Sequence, residues 1–545
     1  MAMAGAVLFG ASMLSQAPTA PVPEQISGPY WIAGRVVNAV TGEPVRRATV
    51  AALAEEDSHI VRSVASDNDG RFSLENLPAG KYPLTASRRG FRTAFYDEHD
   101  DYNSAIVTGP DQDTSHLAFR LTPGAVLYGV VTGDGGDPAE NASVILFKRE
   151  RGTAHAASEN SGQSAGNGEI RQSEGGTTDD TGAFEFTNLA AGEYYISVVT
   201  SPWYAMHPPP GRSALNEDSP LDVAYPVTFF DSTTQEASAS PIMLEAGGRQ
   251  EANIALHAEP ALRLQVAAPR KGPGFVQPEL RTMVFGVQVS AETAGGFDPV
   301  PTGLVEFRGV PPGHYELVQG DPTRISEIDA TSSQVVDPNA GALAATVSGV
   351  LRTTNGAPLP DNVNVSLEPA NGPNQAMGIN AHKGAFRFDA VPPGTWNVSA
   401  FVQGNALPVV AVAADGPALA GNQITVKGRP VAAFVTVSPS LSRVKGFARA
   451  NGKGAAGAMI VLVPRQPSAY SALVRRDQSD SDGSFSLRDV PAGQYTVVAI
   501  EDGWKLDWTD RQTIARYLPR GVAITVSGQA GADVALSEPV LVQPK

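Results

Sequence analysis

Gly70–Tyr82, with the sequence GRFSLENLPAGKY, decides the fold, because the chain carries four further copies of this pattern. All copies align without a gap as Gly-x-φ-x-φ-x-x-φ-(Pro/Ala)-(Ala/Pro)-Gly-x-aromatic, where φ is apolar, and we call each copy a block. The other blocks are Gly182–Tyr194 (GAFEFTNLAAGEY), Gly303–Tyr315 (GLVEFRGVPPGHY), Gly384–Trp396 (GAFRFDAVPPGTW) and Gly483–Tyr495 (GSFSLRDVPAGQY). They begin 81 to 121 residues apart. That spacing is typical of whole domains, whereas solenoid and propeller repeats have about 20–50 residues.

The block predicts two strands joined at a sharp corner. Its opening glycine follows a polar turn, as in Asp67–Asp69, and suits the positive φ of a hairpin turn. Apolar residues such as Phe72 and Leu74 then alternate with the period of a strand that has one buried face. Pro-x-Gly predicts a tight reversal in which the glycine is the residue that turns back. The closing aromatic begins a return strand.

A second pattern, read as strand, Gly/Pro turn, strand, precedes four of the blocks. Its copies are Gly34–Pro44, Gly129–Pro138, Gly349–Pro358 and Gly446–Ala456. No comparable opening strand is recognisable before the third block. Together the two patterns predict about seven short strands per repeat, which is the strand number of a β-sandwich. The expected fold class is therefore all-β, a tandem array of about five seven-stranded antiparallel β-sandwich domains.

The predicted domain boundaries follow the repeats. The ranges are residues 30–122, 123–257 with a flexible polar insert at 150–176, 258–340 for a divergent third sandwich, 341–430 and 431–545. The only helical expectation is a turn or two in Asp510–Arg516.

The composition excludes several function classes. The chain has 545 residues, a formal net charge of −16 and no cysteine. A strongly acidic chain does not favour binding to a phosphate backbone, so we expect no nucleic-acid partner. The absence of cysteine excludes disulfide scaffolds, cysteine-ligated zinc, iron–sulfur clusters and thiol catalysis. No cofactor is expected.

The first 20 residues predict export. Ala2–Leu14 is an uncharged apolar stretch, too short for the about 20 residues of a spanning helix but suited to the apolar part of a signal peptide. Ser15 and Ala17 supply small residues for a cleavage site. No Lys or Arg precedes the stretch, so a short buried element is the alternative. We expect a secreted, periplasmic or cell-envelope protein without a membrane span in the mature chain.

The repeat pattern also carries a family resemblance. Gly34–Val50 combined with Asp69–Tyr82 resembles the carboxypeptidase regulatory-like domain, a prealbumin-like β-sandwich close to the Cna-B-like and starch-binding-like sandwiches. The resemblance extends over most of the chain after about residue 30. The chain as a whole resembles the tandem arrays of such domains in secreted or envelope proteins of bacteria. It implies a fold and does not imply peptidase activity.

No catalytic pattern survives inspection of the sequence. None of the eight histidines has a glutamate three residues later, as a metallocarboxypeptidase requires. Gly162–Gly166 (GQSAG) matches the nucleophile-elbow pattern, but it lies in a polar Gly/Ser-rich stretch and not between a strand and a helix. We therefore expect a protein that is not an enzyme.

Acidic turns are candidate calcium ligands. The pairs are Asp67/Asp69, Asp179/Asp180 and Asp480/Asp482. Calcium sites gather about six to eight oxygens, and none of these turns carries that set. The alternative is that each aspartate hydrogen-bonds its own turn.

Aromatic residues are the remaining candidate ligand-binding residues. Trp203 and Tyr204 precede a proline run, and Trp504 and Trp508 follow the last return strand close to several aspartates. Exposed rings beside carboxylates suit sugars, which stack on the ring while their hydroxyls bond the acids. The alternative is that these rings close the end of a sandwich core.

Two function classes follow from these observations. The first is binding of polysaccharide at the envelope or outside the cell. The second is a structural spacer or a protein-interaction and adhesion array, possible partners being envelope proteins. A role as accessory to a peptidase or glycosidase is a third.

Overall fold

The structure is a computed structural model, and nearly all of its regular structure is β. It describes residues 27–100, 102–149, 170–206, 222–267, 278–289, 295–299, 304–319, 323–337, 339–370, 376–414, 419–508, 510–527 and 531–545. The predicted signal peptide (1–20), the GQSAG motif and most of the 150–176 insert lie outside these residues.

The strands form five groups, here called units, in chain order. The bounds of the strands in the first unit are β1 Tyr30–Asn38, β2 Thr49–Leu53, β3 Ile60–Ala65, β4 Arg71–Leu77, β5 Gly80–Tyr82, β6 Leu84–Ser87, β7 Ala94–Phe95, β8 Ile106–Thr108 and β9 Leu117–Leu121. Those of the second unit are β10 Ala125–Thr132, β11 Ser143–Arg149, β12 Ile170–Thr177, β13 Ala183–Leu189, β14 Gly192–Val199, β15 Val223–Ala224, β16 Thr228–Phe229, β17 Ile242–Leu244, β18 Arg249–Glu251, β19 Ile254–Ala255 and β20 Glu259–Pro260.

The third and fourth units follow the same order. The bounds in the third unit are β21 Leu262–Ala267, β22 Glu279–Val284, β23 Val287–Val289, β24 Gly295–Pro299, β25 Leu304–Val310, β26 Gly313–Gln319, β27 Arg324–Ala330, β28 Gln334–Val335 and β29 Ala342–Leu343. Those in the fourth are β30 Ala345–Thr353, β31 Asn362–Pro369, β32 Met377–His382, β33 Ala385–Val391, β34 Gly394–Val402, β35 Asn405–Ala406, β36 Val409–Ala414, β37 Leu419–Ala420, β38 Gln423–Val426 and β39 Val431–Val437.

The fifth unit carries the last strands and two of the three short α-helices found among the described residues. Its strands are β40 Leu441–Ala450, β41 Lys453–Gly454, β42 Met459–Pro464, β43 Arg475–Gln478, β44 Ser484–Pro491, β45 Gly493–Ile500, β46 Val522–Val526, β47 Asp533–Ala535 and β48 Val540–Gln543. The helices are α1 Trp203–Met206, α2 Tyr470–Leu473 and α3 Arg511–Ala515. Helix α3 agrees with the turn or two expected in Asp510–Arg516.

Every unit repeats one pairing scheme. In the first sheet, an opening strand (β1, β10, β21, β30 or β40) pairs antiparallel with the block strand and parallel with one of the last strands of the unit. In the second sheet, a central strand (β2, β11, β22, β31 or β42) pairs antiparallel with the following strand and with the return strand. The block therefore passes from one set of strands to the other, as the bent two-stranded unit predicts. In the fourth unit β32 also pairs with β33, and in the fifth unit β48 pairs with both β40 and β45, so the two sets are connected there.

The third opening strand, which the sequence does not reveal, is β21. It pairs with the third block strand in the same register as its counterparts. Val266 stands where the other opening strands have the glycine that begins the second pattern (Gly34, Gly129, Gly349 and Gly446), so the pattern is not recognisable there, although the position of the strand in the sheet is the same.

The apolar alternation of the blocks supplies the cores. Phe72 and Leu74 are 4% and 2% exposed, and Phe485 and Leu487 are 2% and 0% exposed. The main apolar clusters each draw their fully buried members from one unit. The all-β class and the sandwich pairing are therefore confirmed. The count of five independently folding domains and their boundaries stay a prediction.

The corner of the block is held by its closing aromatic. In each block the aromatic side chain donates a hydrogen bond to the backbone carbonyl four residues earlier, at the first residue of the Pro/Ala pair. These pairs are Tyr82 with Pro78, Tyr194 with Ala190, Tyr315 with Pro311, Trp396 with Pro392, and Tyr495 with Pro491, at 2.6 to 3.1 Å. Because the donor is a hydroxyl or an indole NH, the position requires Tyr or Trp and is not filled by Phe.

In four of the five blocks the glycine of the corner has a role different from the one predicted. Gly80, Gly192, Gly313 and Gly493 have no positive φ, so they are not the residues that turn back, whereas Gly394 of the fourth block has a φ of 155°. A Cβ on Gly493 would instead lie 3.0 Å from the ring of Tyr495. The glycine therefore makes room for the aromatic ring.

The left-handed residue lies two positions before the Pro/Ala pair. The seventh block residue has positive φ in every copy: Asn76 (61°), Asn188 (61°), Gly309 (67°), Ala390 (59°) and Asp489 (51°). The register of the block strand against the opening strand shifts at this point in each unit, which is the mark of a β-bulge. The bulge bends the block strand toward the second sheet.

The opening glycine behaves as predicted where it is described. Gly70, Gly182, Gly384 and Gly483 have φ between 75° and 85°. Gly303 of the third block lies outside the described residues.

Candidate functional site

The two tryptophans of the fifth unit are buried. After β45, the left-handed Asp502 (φ 46°) and a 3₁₀ turn over Gly503–Lys505 carry the chain back over the second sheet. Trp504 and Trp508 are each 6% exposed, and they belong to an apolar cluster with Met459 and Val498 on the outer face of that sheet. The Trp504 indole Nε1 donates to the carbonyl of Gly457 at 3.1 Å.

Side chains of the first unit cover Trp504. The His99 ring stacks on it with a centroid distance of 5.1 Å and an interplanar angle of 13°. The Tyr102 ring lies 5.9 Å away in a tilted arrangement. Neither tryptophan of the fifth unit offers an open face to a sugar, and the alternative of core packing describes both of them.

Arg476 lies at the centre of this aromatic cluster. Its guanidinium carbon is 4.1 Å from the ring centroid of Trp508, 5.0 Å from that of Tyr102 and 5.7 Å from that of Trp504. Its side chain is 1% exposed, and its Nη1 donates to the Asp100 carboxylate of the first unit at 3.0 Å. A buried guanidinium keeps its charge, so the aspartate and the ring faces stabilise a cation that burial would otherwise destabilise.

A series of polar contacts continues the same interface. Lys81 Nζ lies 2.5 Å from Asp480 Oδ2, and the backbone NH of Ala105 donates to Asp480 Oδ1 at 3.0 Å. The backbone NH of Ser481 donates to the Ala105 carbonyl at 3.0 Å, and Ser104 Oγ donates to the Ser479 carbonyl at 2.8 Å. We call the interface formed by Lys81 and residues 97–100 and 102–107 with residues 475–481, Trp504 and Trp508 the clasp.

Charge and burial at the clasp shift the pKa of three groups. Burial of the ammonium opposes its charge, but the Asp480 carboxylate beside it raises the pKa of Lys81 above its ordinary value. Burial raises the pKa of Asp480 above its ordinary value, although the Lys81 ammonium opposes this shift. Burial raises the pKa of Asp477 to about 7, and the nearby Asp480 carboxylate adds to this effect. The Asp477 carboxylate accepts hydrogen bonds from the backbone NH groups of Gln478 and Ser486, which act in the opposite direction and lower its pKa. The clasp therefore contains a carboxyl group that is part-protonated at pH 7.

The second predicted aromatic pair lies apart from the clasp, on α1. Trp203 is 72% exposed. The Tyr204 hydroxyl donates to Asp134 Oδ2 at 3.0 Å, and the backbone NH of Asp134 donates to the Tyr225 hydroxyl at 3.3 Å. Burial and the Asp134 carboxylate raise the pKa of Tyr204 well above its usual range. The structure thus brings an exposed indole next to a tyrosine–aspartate pair. The following prolines lie outside the described residues.

Two of the three acidic turns cap their own hairpins, whereas Asp480 of the third contacts the first unit. Asp67 Oδ1 accepts from the backbone NH groups of Asp69 and Arg71, at 2.9 and 2.7 Å. Asp179 Oδ1 accepts in the same way from Thr181 and Ala183, at 2.9 Å each. These contacts fit the alternative to calcium binding. Within the described ranges, no group of three or more His, Asp or Glu side chains could hold a metal ion.

Apart from Trp504, Trp508 and Asp480, the sequence did not single out the residues of the clasp. On the first-unit side, the stretch 95–102 (FYDEHDDY) mixes acidic and aromatic residues, and this mixture was an available signal. The burial of Arg476 could not be predicted, because an arginine on a short strand is expected to be solvent-exposed until its partner from another unit is known.

Comparison with known proteins places the first unit in a family. Residues 31–122 match the family model of the carboxypeptidase regulatory-like domain. This match confirms the resemblance seen in the sequence over that range. The matched range corresponds to β1–β9, and the pairing scheme of these strands recurs in the later units. No curated protein matches the chain.

Solved structures with a similar arrangement are distant. The Bacillus anthracis TIE protein is 10% identical, with 96% of this chain and 75% of that chain covered and a TM-score of 0.17. Two B repeat units of the collagen binding protein of Staphylococcus aureus are 11% identical, with coverages of 75% and 100% and a TM-score of 0.13. The RrgB pilus protein of Streptococcus pneumoniae is 11% identical, with coverages of 69% and 90% and a TM-score of 0.15.

Among the residues that the structure describes, no helix has the length and apolarity to cross a membrane.

Proposed function

We propose that the protein is a non-catalytic structural and interaction array of β-sandwiches, exported to the cell envelope or beyond, whose first and fifth units are locked together. The observation that carries the proposal is the clasp. Aromatic residues that could have served a ligand, Trp504 and Trp508, are engaged with Arg476 and with the first unit. The chain uses them for its own cohesion.

The polar content of the clasp favours a structural role over a ligand site. The side chains of Arg476 and Asp100 are 1% and 12% exposed. Separating this ion pair would cost free energy, because a buried charge would be left without its partner. An array that bears mechanical or interaction load benefits from such a contact between distant parts of its chain.

An engineered disulfide tests this proposal. Residues joined by a backbone hydrogen bond have Cα atoms on the order of 5.5 Å apart, which a disulfide can span. The full chain has no cysteine of its own, so Ala105→Cys with Ser481→Cys can form only the intended bridge. The proposal predicts an intramolecular disulfide in the monomer. A control pair, Ala105→Cys with Glu538→Cys, uses a partner outside the clasp. Equal bridging in both pairs, or none in the first, would refute the locked arrangement.

Polysaccharide binding is the second candidate function, favoured by the exposure of Trp203 beside the Tyr204–Asp134 pair. Co-sedimentation of the full chain with insoluble polysaccharides tests it. Trp203→Ala should abolish binding, whereas Trp31→Ala, which removes another exposed tryptophan, should leave it unchanged. Binding that survives Trp203→Ala, or no binding to any polysaccharide, would reject this site.

A further inference from the structure

The two sides of the clasp are different surfaces. The first-unit side supplies a lysine, a histidine, a tyrosine and an aspartate, and the fifth-unit side supplies an arginine, an aspartate and two tryptophans. Lys81 and Asp480, which contact each other, are 399 positions apart in the chain. A contact between two different surfaces is heterologous, and it can be satisfied within one molecule or between successive molecules.

Each side is held by contacts inside its own unit. On the fifth unit, Ser479 Oγ donates to the Ala455 carbonyl at 2.6 Å, and the Asp480 NH donates to the Ser484 carbonyl at 2.7 Å. On the first unit, backbone hydrogen bonds of 2.8 and 3.0 Å join His99 and Tyr102. Surfaces that are already formed in the separate units can bind a partner without refolding.

The interface contains two ion pairs of opposite polarity, so that each unit supplies the cation of one pair and the anion of the other. The first unit presents the Lys81 ammonium to the Asp480 carboxylate, and the fifth unit presents the Arg476 guanidinium to the Asp100 carboxylate. Each side therefore carries one cation and one anion that match the other side. Such a pattern of opposite charges orients the partner surface.

We propose that the clasp also forms between copies of this chain, so that the first unit of one molecule binds the fifth unit of another and the protein self-associates head to tail. This inference rests on the proposed function, since it uses the same interface. It adds a partner, a second copy of the chain, and a geometry, an open chain of molecules or a closed ring of a few.

Concentration decides between the two arrangements. When both sides belong to one chain, closure within the molecule competes with binding between molecules at an effective concentration that is set by the three units connecting the two sides. Exchange between copies gains as the protein concentration approaches that value, as it does for proteins that exchange an identical element between protomers. The self-associated form should therefore increase with concentration and should share its contacts with the monomer.

A mixing experiment with single cysteines detects this contact between copies. Full-length Ala105→Cys and Ser481→Cys variants are mixed under reducing conditions at increasing concentration, oxidised, and separated without reductant. Each variant alone cannot form the intended bridge within a molecule. The expected product is a covalent heterodimer whose yield rises with concentration and exceeds several-fold that of Asp111→Cys mixed with Ser481→Cys, in which the first-unit cysteine lies outside the clasp.

Two further results separate the inference from the proposed function. Adding Asp100→Ala to the Ala105→Cys variant should lower the heterodimer yield several-fold, because the Arg476 guanidinium loses its carboxylate. A heterodimer yield equal to that of the Asp111→Cys control at every concentration would overturn the inference, while an intramolecular disulfide in the double variant would leave the proposed function standing. Absence of both products would overturn both.

Discussion

At the residue scale, the corner of the block depends on one hydrogen bond and one backbone conformation. The aromatic at the end of the block donates to the carbonyl four residues earlier, as Tyr495 does to Pro491 at 2.9 Å. The seventh residue of the block, such as Ala390, takes a positive φ that glycine or asparagine tolerates better than alanine. Both features recur in every unit, so the sharp passage between the sheets is made the same way each time.

Tyr495→Phe tests the hydrogen bond. It removes the donor, keeps the ring, and leaves the Pro491 carbonyl without its partner, so we expect a loss of about 1–3 kcal/mol in the unfolding free energy of the fifth unit. Tyr128→Phe, at a tyrosine outside the corners, is the control. Denaturant unfolding followed by tryptophan fluorescence measures both. Equal small effects would show that the corner does not depend on the hydroxyl.

Ala390→Gly tests the backbone conformation. The alanine at φ 59° is strained by about 1–2 kcal/mol, and glycine relieves this at an entropic cost of about 0.5–1 kcal/mol. We expect a small gain in thermal stability of the full chain. Ala385→Gly, on the same strand without a positive φ, should lose about 0.5–1 kcal/mol by the entropic effect alone. A loss in both variants would contradict the assignment of the bulge.

At the element scale, the sequence predicts the strands well and their neighbours less well. The alternation Phe72/Leu74 and its counterparts fixes which face of the block strand is buried, because a strand has a period of two. The parallel pairing of β1 with β9 could not be predicted, since it follows from the crossing of the chain between sheets and not from any local pattern. For the same reason β21 was not predicted, because only its pairing with the third block strand identifies it as the opening strand.

Asp477, on the edge strand β43, makes the stability of the protein depend on pH. Burial raises the pKa of Asp477 to about 7. The folded protein therefore retains a proton that the unfolded chain releases near pH 4, and the stability from this group is lost as pH rises from about 4 through 7.

Asp477→Asn removes that titration. The variant and the parent should have similar thermal midpoints near pH 4, and the variant should become the more stable protein as pH rises to 8, with a divergence of up to about 1.4 kcal/mol per pH unit inside the window. Calorimetry at pH 4 to 8 measures the difference. Asp69→Asn, at an exposed turn residue, is the control. Parallel curves for Asp477→Asn and the parent would contradict the buried, part-protonated carboxyl.

At the scale of the whole molecule, the contact between the first and fifth units is the feature that the sequence could not predict. The sequence pointed to Trp504 and Trp508, but it allowed both sugar binding and core packing. Their partners His99 and Arg476, which the structure shows, favour packing. A pattern within one repeat carries no information on a surface that meets another repeat some 400 positions away.

Asp100→Ala should open the clasp. Removing the carboxylate leaves the buried Arg476 guanidinium without its ionic partner, at a cost of about 3–5 kcal/mol to the docked state. We expect greater acrylamide quenching of tryptophan fluorescence as Trp504 becomes accessible, with the strand content unchanged by circular dichroism. Asp389→Ala breaks an exposed ion pair with Arg387 and should cost at most about 1 kcal/mol. Unchanged quenching in Asp100→Ala would argue against the docked arrangement.

Zero-length carbodiimide cross-linking of the unaltered monomeric protein, read by peptide mass spectrometry, tests the clasp most directly. Lys81 and Asp480 are 2.5 Å apart across the clasp, and Lys445 and Asp533 are 2.6 Å apart within the fifth unit. We predict a cross-link at both pairs. A cross-link between Lys445 and Asp533 without one between Lys81 and Asp480 would contradict the docking of the first unit on the fifth.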